Sequence, residues 1–174
     1  GENVFEMDGY LLENKREFSI PTNGTGSATY GWYLAFSGSL TGYMNIGIML
    51  AIQQTYSGGS GILYMNIRSD NGSTLRVPAF HWLTYSEIPS SNFAIKTAGN
   101  NFYFYVKTTV NYQQYYIKVL QEKLLNSKQN YATFNINTPA YSDQVDEAEV
   151  EGASYPTGIY DRDTTFAGAL SANS

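Results

Sequence analysis

The chain has no cysteine, a single histidine and only 14% charged residues over 174 positions. Without cysteine there can be no disulfides, thiolate nucleophiles, iron–sulfur clusters or Cys-ligated zinc. A histidine-rich metal site is equally excluded, because His81 stands alone. The compartment stays open, since a domain of this length can bury roughly 70% of its unfolded surface without staples. Charge is scarce against a usual share of about 25%, and it is acidic, with a net value of −5. A nucleic-acid backbone is therefore not an expected partner. The longest apolar run, 46–52, is interrupted by Gly47 and far too short to cross a bilayer, so membrane insertion is not expected. No signal-peptide pattern opens the chain, and Gly1 stands in place of an initiator Met, which leaves open whether the chain is part of a longer protein.

Neutral polar residues, glycine and 16 tyrosines fill the space that charge leaves. Their arrangement is dominated by strict alternation, the mark of half-buried strands. In 44–52, Met44, Ile46, Ile48, Leu50 and Ile52 share one face, with Asn45, Gly47, Met49 and Ala51 opposite. Trp32, Leu34 and Phe36 alternate with Tyr33, Ala35 and Ser37 in the same way. Phe102, Phe104, Val106 and Val110 form a third set, and Tyr115, Ile117 and Val119 a fourth. Leu63, Met65 and Ile67 join the expected core.

Turn signals separate these runs at 39–42, 57–61, 70–73 and 98–101, with Asn71-Gly72 a favoured type I′ pair. Residues 111–114 are expected to turn the strand ending near Val110 back into 115–120 as a hairpin. Residues 121–126 carry helix formers enough for one turn, and a further strand is expected over 132–137. Six or more strands at hairpin spacing predict an all-β fold, an antiparallel β-sandwich or jelly-roll-like domain, with a closed barrel as the alternative. Three segments are expected: an N-terminal strand or arm over 1–27, a sandwich core over 28–141, and an acidic, loop-rich C-terminal arm over 142–174. In that arm Asp143, Asp146, Glu147, Glu149, Glu151, Asp161 and Asp163 oppose only Arg162. Apolar anchors thin out there, so it is expected to be trimmed first by protease unless packed on the domain or a neighbour.

Chemistry-bearing patterns are sparse. His81, beside Trp82, could act as a general base or a sugar-binding donor, but no Gly-x-Ser-x-Gly elbow accompanies it. Paired carboxylates for glycoside hydrolysis are disfavoured because acids are nearly absent from the strands; Asp70 and Glu87 sit beside turns. Asp161-Arg162-Asp163 does not fit a calcium loop, and an arginine between the aspartates disfavours the cation. Asn23-Gly24-Thr25 and Asn71-Gly72-Ser73 match the glycosylation pattern at the level chance supplies. No catalytic residue, metal site or cofactor is expected. The aromatics remain: Tyr103, Tyr105, Tyr112, Tyr115 and Tyr116 cluster about the expected hairpin with Asn111, Gln113 and Gln114. Flat rings with amides alongside suit stacking on sugars, and they equally suit core or subunit-interface packing. Candidate ligand-binding residues are thus Tyr103, Tyr105, Tyr112, Gln113, Tyr115, Tyr116, His81 and Trp82.

The strand opening Gly31-Trp32-Tyr33-Leu34-Ala35-Phe36 leads to an alternating apolar strand and then "SGGSGILYMNIRSDNG". An aromatic strand, "NYQQYYIKVL" and "FNINTPAYSDQVDEAEVEG" follow. This succession, over about residues 28–155, resembles C-terminal domains of bacteriophage tail-fibre, head-fibre and appendage proteins. The resemblance implies a β-sandwich, commonly trimeric, facing a host surface from a virion or extracellular position and engaging cell-surface carbohydrate or assembling a fibre. Two other functions stay open: a carbohydrate-binding module of a secreted glycan-active enzyme, and a hydrolase in which His81 converges with an acid and a hydroxyl.

Overall fold

The computed structural model describes residues 5–7, 10–12, 16–21, 31–56, 58–110, 112–124 and 132–158. The chain is all-β, with no α-helix among these residues. Eleven strands are β1 (Phe5–Met7), β2 (Tyr10–Leu12), β3 (Glu17–Ile20), β4 (Trp32–Leu40), β5 (Gly42–Gln54), β6 (Gly59–Gly72), β7 (Leu75–Trp82), β8 (Phe93–Ala98), β9 (Asn101–Lys107), β10 (Tyr115–Leu124) and β11 (Ala132–Ile136). β1 and β2 pair with each other. The others form a five-stranded sheet, β3-β10-β5-β6-β7, and a four-stranded sheet, β11-β4-β9-β8, with every pairing antiparallel. These are separate sheets packed face to face as a β-sandwich, not one sheet closed into a barrel.

The alternation read from sequence builds the core. Met44, Ile46, Ile48, Leu50 and Ile52 of β5 and Leu63, Met65 and Ile67 of β6 point inward, all essentially solvent-free. Facing them, Phe104 stacks on Phe36 at 4.7 Å between ring centroids and meets Phe93 at 6.2 Å and Phe80 edge-on at 6.3 Å. Such ring contacts add about 0.5–1.5 kcal/mol per pair beyond area burial.

Four expectations need correcting. The alternation in β4 breaks at a bulge between Leu34 and Phe36, where one extra residue reverses the inward set. Tyr33, Ala35 and Phe36 therefore join the main core, whereas Trp32 and the half-buried Leu34 face the outside of the four-stranded sheet. Second, residues 108–114 do not make a hairpin. β9 lies in the four-stranded sheet and β10 in the five-stranded one, so the segment crosses between sheets. Third, residues 121–124 extend β10, paired with Ile46, Gly47, Ile48 and Met49 of β5 after a bulge at Leu120; ladder pairing outweighs their helix propensity. Fourth, the turn at Asn71-Gly72 is not type I′, which needs positive φ at both residues. Only Gly72 has it (φ 78°), while the Asn71 Oδ1 accepts hydrogen bonds from the backbone N–H groups of Ser73 and Thr74.

The acidic segment is also less like a free arm than its composition suggests. Over 144–158 it forms a strap on the domain itself. Val145 exchanges backbone contacts with Trp32, Ser154 pairs with Ile95 on the outer edge of β8, and Thr157 bridges His81 on the outer edge of β7. Val150 is buried with Trp32, Ala94 and Tyr105 in a second apolar cluster outside the four-stranded sheet. Lys107 pairs with Glu147 at 2.5 Å, holding that carboxyl below its ordinary range, and the Gln144 amide donates to the Tyr33 hydroxyl at 2.9 Å. The strap thus covers one outer face and caps two edge strands that would otherwise present unpaired backbone. Asp161, Arg162 and Asp163 lie outside the described residues.

Candidate functional site

Because β10 and β9 belong to different sheets, the expected tyrosine cluster is dispersed. Tyr103 and the buried Tyr105 lie on the outer face of the four-stranded sheet, packed in the cluster that the strap covers. Tyr115 is wholly buried between the sheets. Its hydroxyl donates to the Lys107 carbonyl at 3.0 Å and accepts from the Asn92 amide at 2.9 Å and the Gln54 amide at 3.3 Å. Gln113 is buried too, its side-chain oxygen accepting from the Thr109 backbone N–H at 2.6 Å, so it fixes the crossover loop. Trp82 is a core residue, edge-on to Phe93 at 5.5 Å with its indole N–H donated to Ser90. His81 is half-buried on the outer face of the five-stranded sheet, edge-on to Tyr64 at 5.5 Å. Tyr116 points outward from β10 and is about half exposed, and Tyr112 is exposed in the loop before it. Of the eight candidates, Tyr116 and the half-buried His81 lie on the outer face of the five-stranded sheet, and Tyr112 is exposed in the loop at its end.

Tyr115 gives that interior polar network a pH signature. Burial pushes its phenol up from the ordinary 10.0 to about 12, opposed by the Asn92 and Gln54 hydrogen bonds. Burial also raises Tyr33 and Tyr105. The folded state therefore holds these protons more tightly than the unfolded chain does. Stability from Tyr115 is complete below pH 10 and is lost as pH climbs toward 12. Tyr115→Phe, which strands three buried partners, is expected to cost about 1–3 kcal/mol at neutral pH and to flatten the alkaline fall. Urea melts at pH 7 and across pH 9–12 check both; equal stability and an unchanged alkaline limb would contradict the role given to this hydroxyl.

The open surface is the outer face of the five-stranded sheet. There the residues between the core positions converge on a depression of about 1030 Å³. Strand register explains its shape. One row across the sheet carries Glu17, Lys118, Ala51 and Ile62, and the next Ser19, Tyr116, Gln53 and Ser60. Small side chains, Ala51 and Ser60, make a low floor in the middle strands. The larger Tyr116 stands on one flank, and Thr84 and Tyr85, just past β7, stand on the other. The flanks are three strand spacings apart, about 14 Å. Both rings are accessible, Tyr85 at 62% and Tyr116 at 49% exposure.

Polar groups in this trough are available to a ligand. Ser19, Gln53 and Ser60 make no side-chain hydrogen bonds among the described residues. The Thr84 hydroxyl accepts from the Ile62 backbone N–H at 2.9 Å, which leaves its proton to donate. Glu17 and Lys118 pair at 3.4 Å, so the trough carries no net charge from its lining acid and base. Ile62 and Ala51 supply apolar floor. Such a surface can stack sugar rings on its phenols at either flank while amides and hydroxyls satisfy their polar edges; its lining offers no histidine. Sequence alternation placed Ala51, Tyr116 and Lys118 outward, but Tyr85, Gln53 and Ser60 were missed because only the pairing of β10 with β5, and of β5 with β6, brings them together. Comparisons of the chain with known protein families, with curated proteins and with solved structures found no match.

Proposed function

We propose that the chain is a non-catalytic recognition module that holds a neutral carbohydrate in the trough of its five-stranded sheet. One contrast carries this reading. The outer face of the four-stranded sheet is covered by the chain's own strap, whereas the other outer face presents two exposed tyrosines across a floor of small and amide side chains. Sugars combine apolar C–H faces with a polar rim, and this pairing of rings with hydrogen-bonding groups complements them. Tyr85 and Tyr116 supply the stacking surfaces; Gln53, Ser60 and Thr84 supply hydrogen bonds. On the succession of its strands we place the module in a fibre-type appendage facing a cell surface, assembled as a trimer.

A glycan array followed by calorimetry with the protein tests recognition. Neutral glycans are the expected ligands, and Tyr85→Ala or Tyr116→Ala should each weaken binding about three- to tenfold with little change in melting temperature. An array silent for neutral glycans would sink the recognition reading. Light scattering tests the setting separately: a mass of 19.4 kDa at high concentration would favour a module appended to an enzyme over a fibre tip.

A further inference from the structure

Two tyrosines outside the trough hold unusual backbone. Tyr56 (φ 72°) and Tyr112 (φ 61°) are the only non-glycine residues with positive φ among the described residues. A bulky aromatic is a poor choice there, since its Cβ crowds the backbone and Gly, Asn or Asp would fit with less strain. Both side chains nevertheless project into solvent, at 74% and 54% exposure, with ring centroids 6.2 Å apart. Core packing does not explain rings this exposed. The loops carrying them are clamped by three hydrogen bonds between Thr55 and Gln114: the Thr55 backbone N–H and hydroxyl both donate to the Gln114 carbonyl, at 2.8 and 3.2 Å, and the Gln114 N–H donates to Thr55 Oγ1 at 3.1 Å. The pair is therefore presented on a fixed base, at a cost in backbone strain.

This base continues the trough. Gln53 and Tyr116 face each other across β5 and β10 at its end. The Thr55–Gln114 clamp comes next, and Tyr56 and Tyr112 follow directly. The Tyr116 hydroxyl donates to the Gln114 side-chain oxygen at 3.3 Å, which links the two surfaces. From Tyr116 to Tyr112 is four residues, at most about 13 Å of chain, so an oligosaccharide of several units is long enough to span both surfaces. With the Glu17–Lys118 pair neutralising the lining, an uncharged ligand fits better than a uronate or sialylated one. Tyrosine faces pair best with flat C–H faces, which β-linked glucose units present on both sides because their substituents are equatorial.

We propose that Tyr56 and Tyr112 form a second stacking platform, and that the module binds a neutral β-linked glucan along β5 and β10. This rests on the trough reading and is tested apart from it. Calorimetry with cellobiose, cellotetraose and cellohexaose on the intact chain should show affinity rising about tenfold with length. In Tyr56→Asn/Tyr112→Asn, which tolerates the left-handed backbone and removes the rings, the length dependence should vanish. Cellobiose affinity should stay, and the melting temperature should equal or exceed that of the parent. Equal affinity of the parent for all three lengths would overturn the second platform alone, as would a double variant that keeps the length dependence. Neutral ligands on an array with cello-oligosaccharides silent would overturn the glucan assignment and leave the trough standing. No neutral ligand at all would overturn both.

Discussion

Replacing Phe104 by alanine is expected to lower the free energy of unfolding by about 3–5 kcal/mol. Phe104 is fully buried and is the ring on which Phe36, Phe80 and Phe93 converge from β4, β7 and β8. Its removal takes apolar area out of the core and leaves a hole whose walls come from both sheets. These walls are strands fixed by ladders on either side, so they close poorly over a cavity. Denaturant melts followed by fluorescence would measure the loss. A cost under about 1 kcal/mol would mean that the sheets do not pack through this cluster.

Gly38→Ala should cost at least about 3 kcal/mol, more than an ordinary overpacked core position. Gly38 is buried in β4, paired with Phe134 of β11 on one side and Phe102 of β9 on the other. A Cβ there would run into the Thr133 carbonyl oxygen and the Phe102 ring. The ring could swing aside, but the carbonyl is main chain, so relief requires β11 to shift from β4. Because Ser39 also reaches Thr133 across this pair, at 2.8 Å, the damage should centre on the edge strand. Hydrogen exchange would show it as faster exchange in 132–136 than in β5. Unchanged stability would contradict the close approach of these strands.

How much of this was legible in the residues depends on whether the determinant is local. The inward sets of β5, β6 and β9 follow from a period of two, which each strand carries by itself. β4 was read half correctly, because nothing in Trp32-Tyr33-Leu34-Ala35-Phe36 marks the bulge that switches its faces. The misread of 121–124 has the same origin. Its propensity is helical, but its conformation is set by β5, about 75 residues earlier in the chain. The acidic segment read as an arm packed on the domain or a neighbour, but the sequence did not say where; over 144–158 what anchors it is the outward Trp32 and the free edges of β7 and β8. The candidate site suffered most. Tyr115 and Tyr116 are neighbours in sequence and face opposite sides of one strand, so one became core and the other trough. Tyr105, placed beside them by the expected hairpin, lies on the other sheet.

The trough is the central functional claim, and amide NMR of the labelled protein titrated with a neutral oligosaccharide tests it most directly. Cellohexaose is the probe of choice. Chemical shifts should move in 51–53, 60–62, 84–85 and 116–118, with the strap residues 145–157 unaffected. Shifts confined to the strap, or no shifts with any neutral oligosaccharide, would contradict the trough; silence with cellohexaose alone would count only against the glucan assignment.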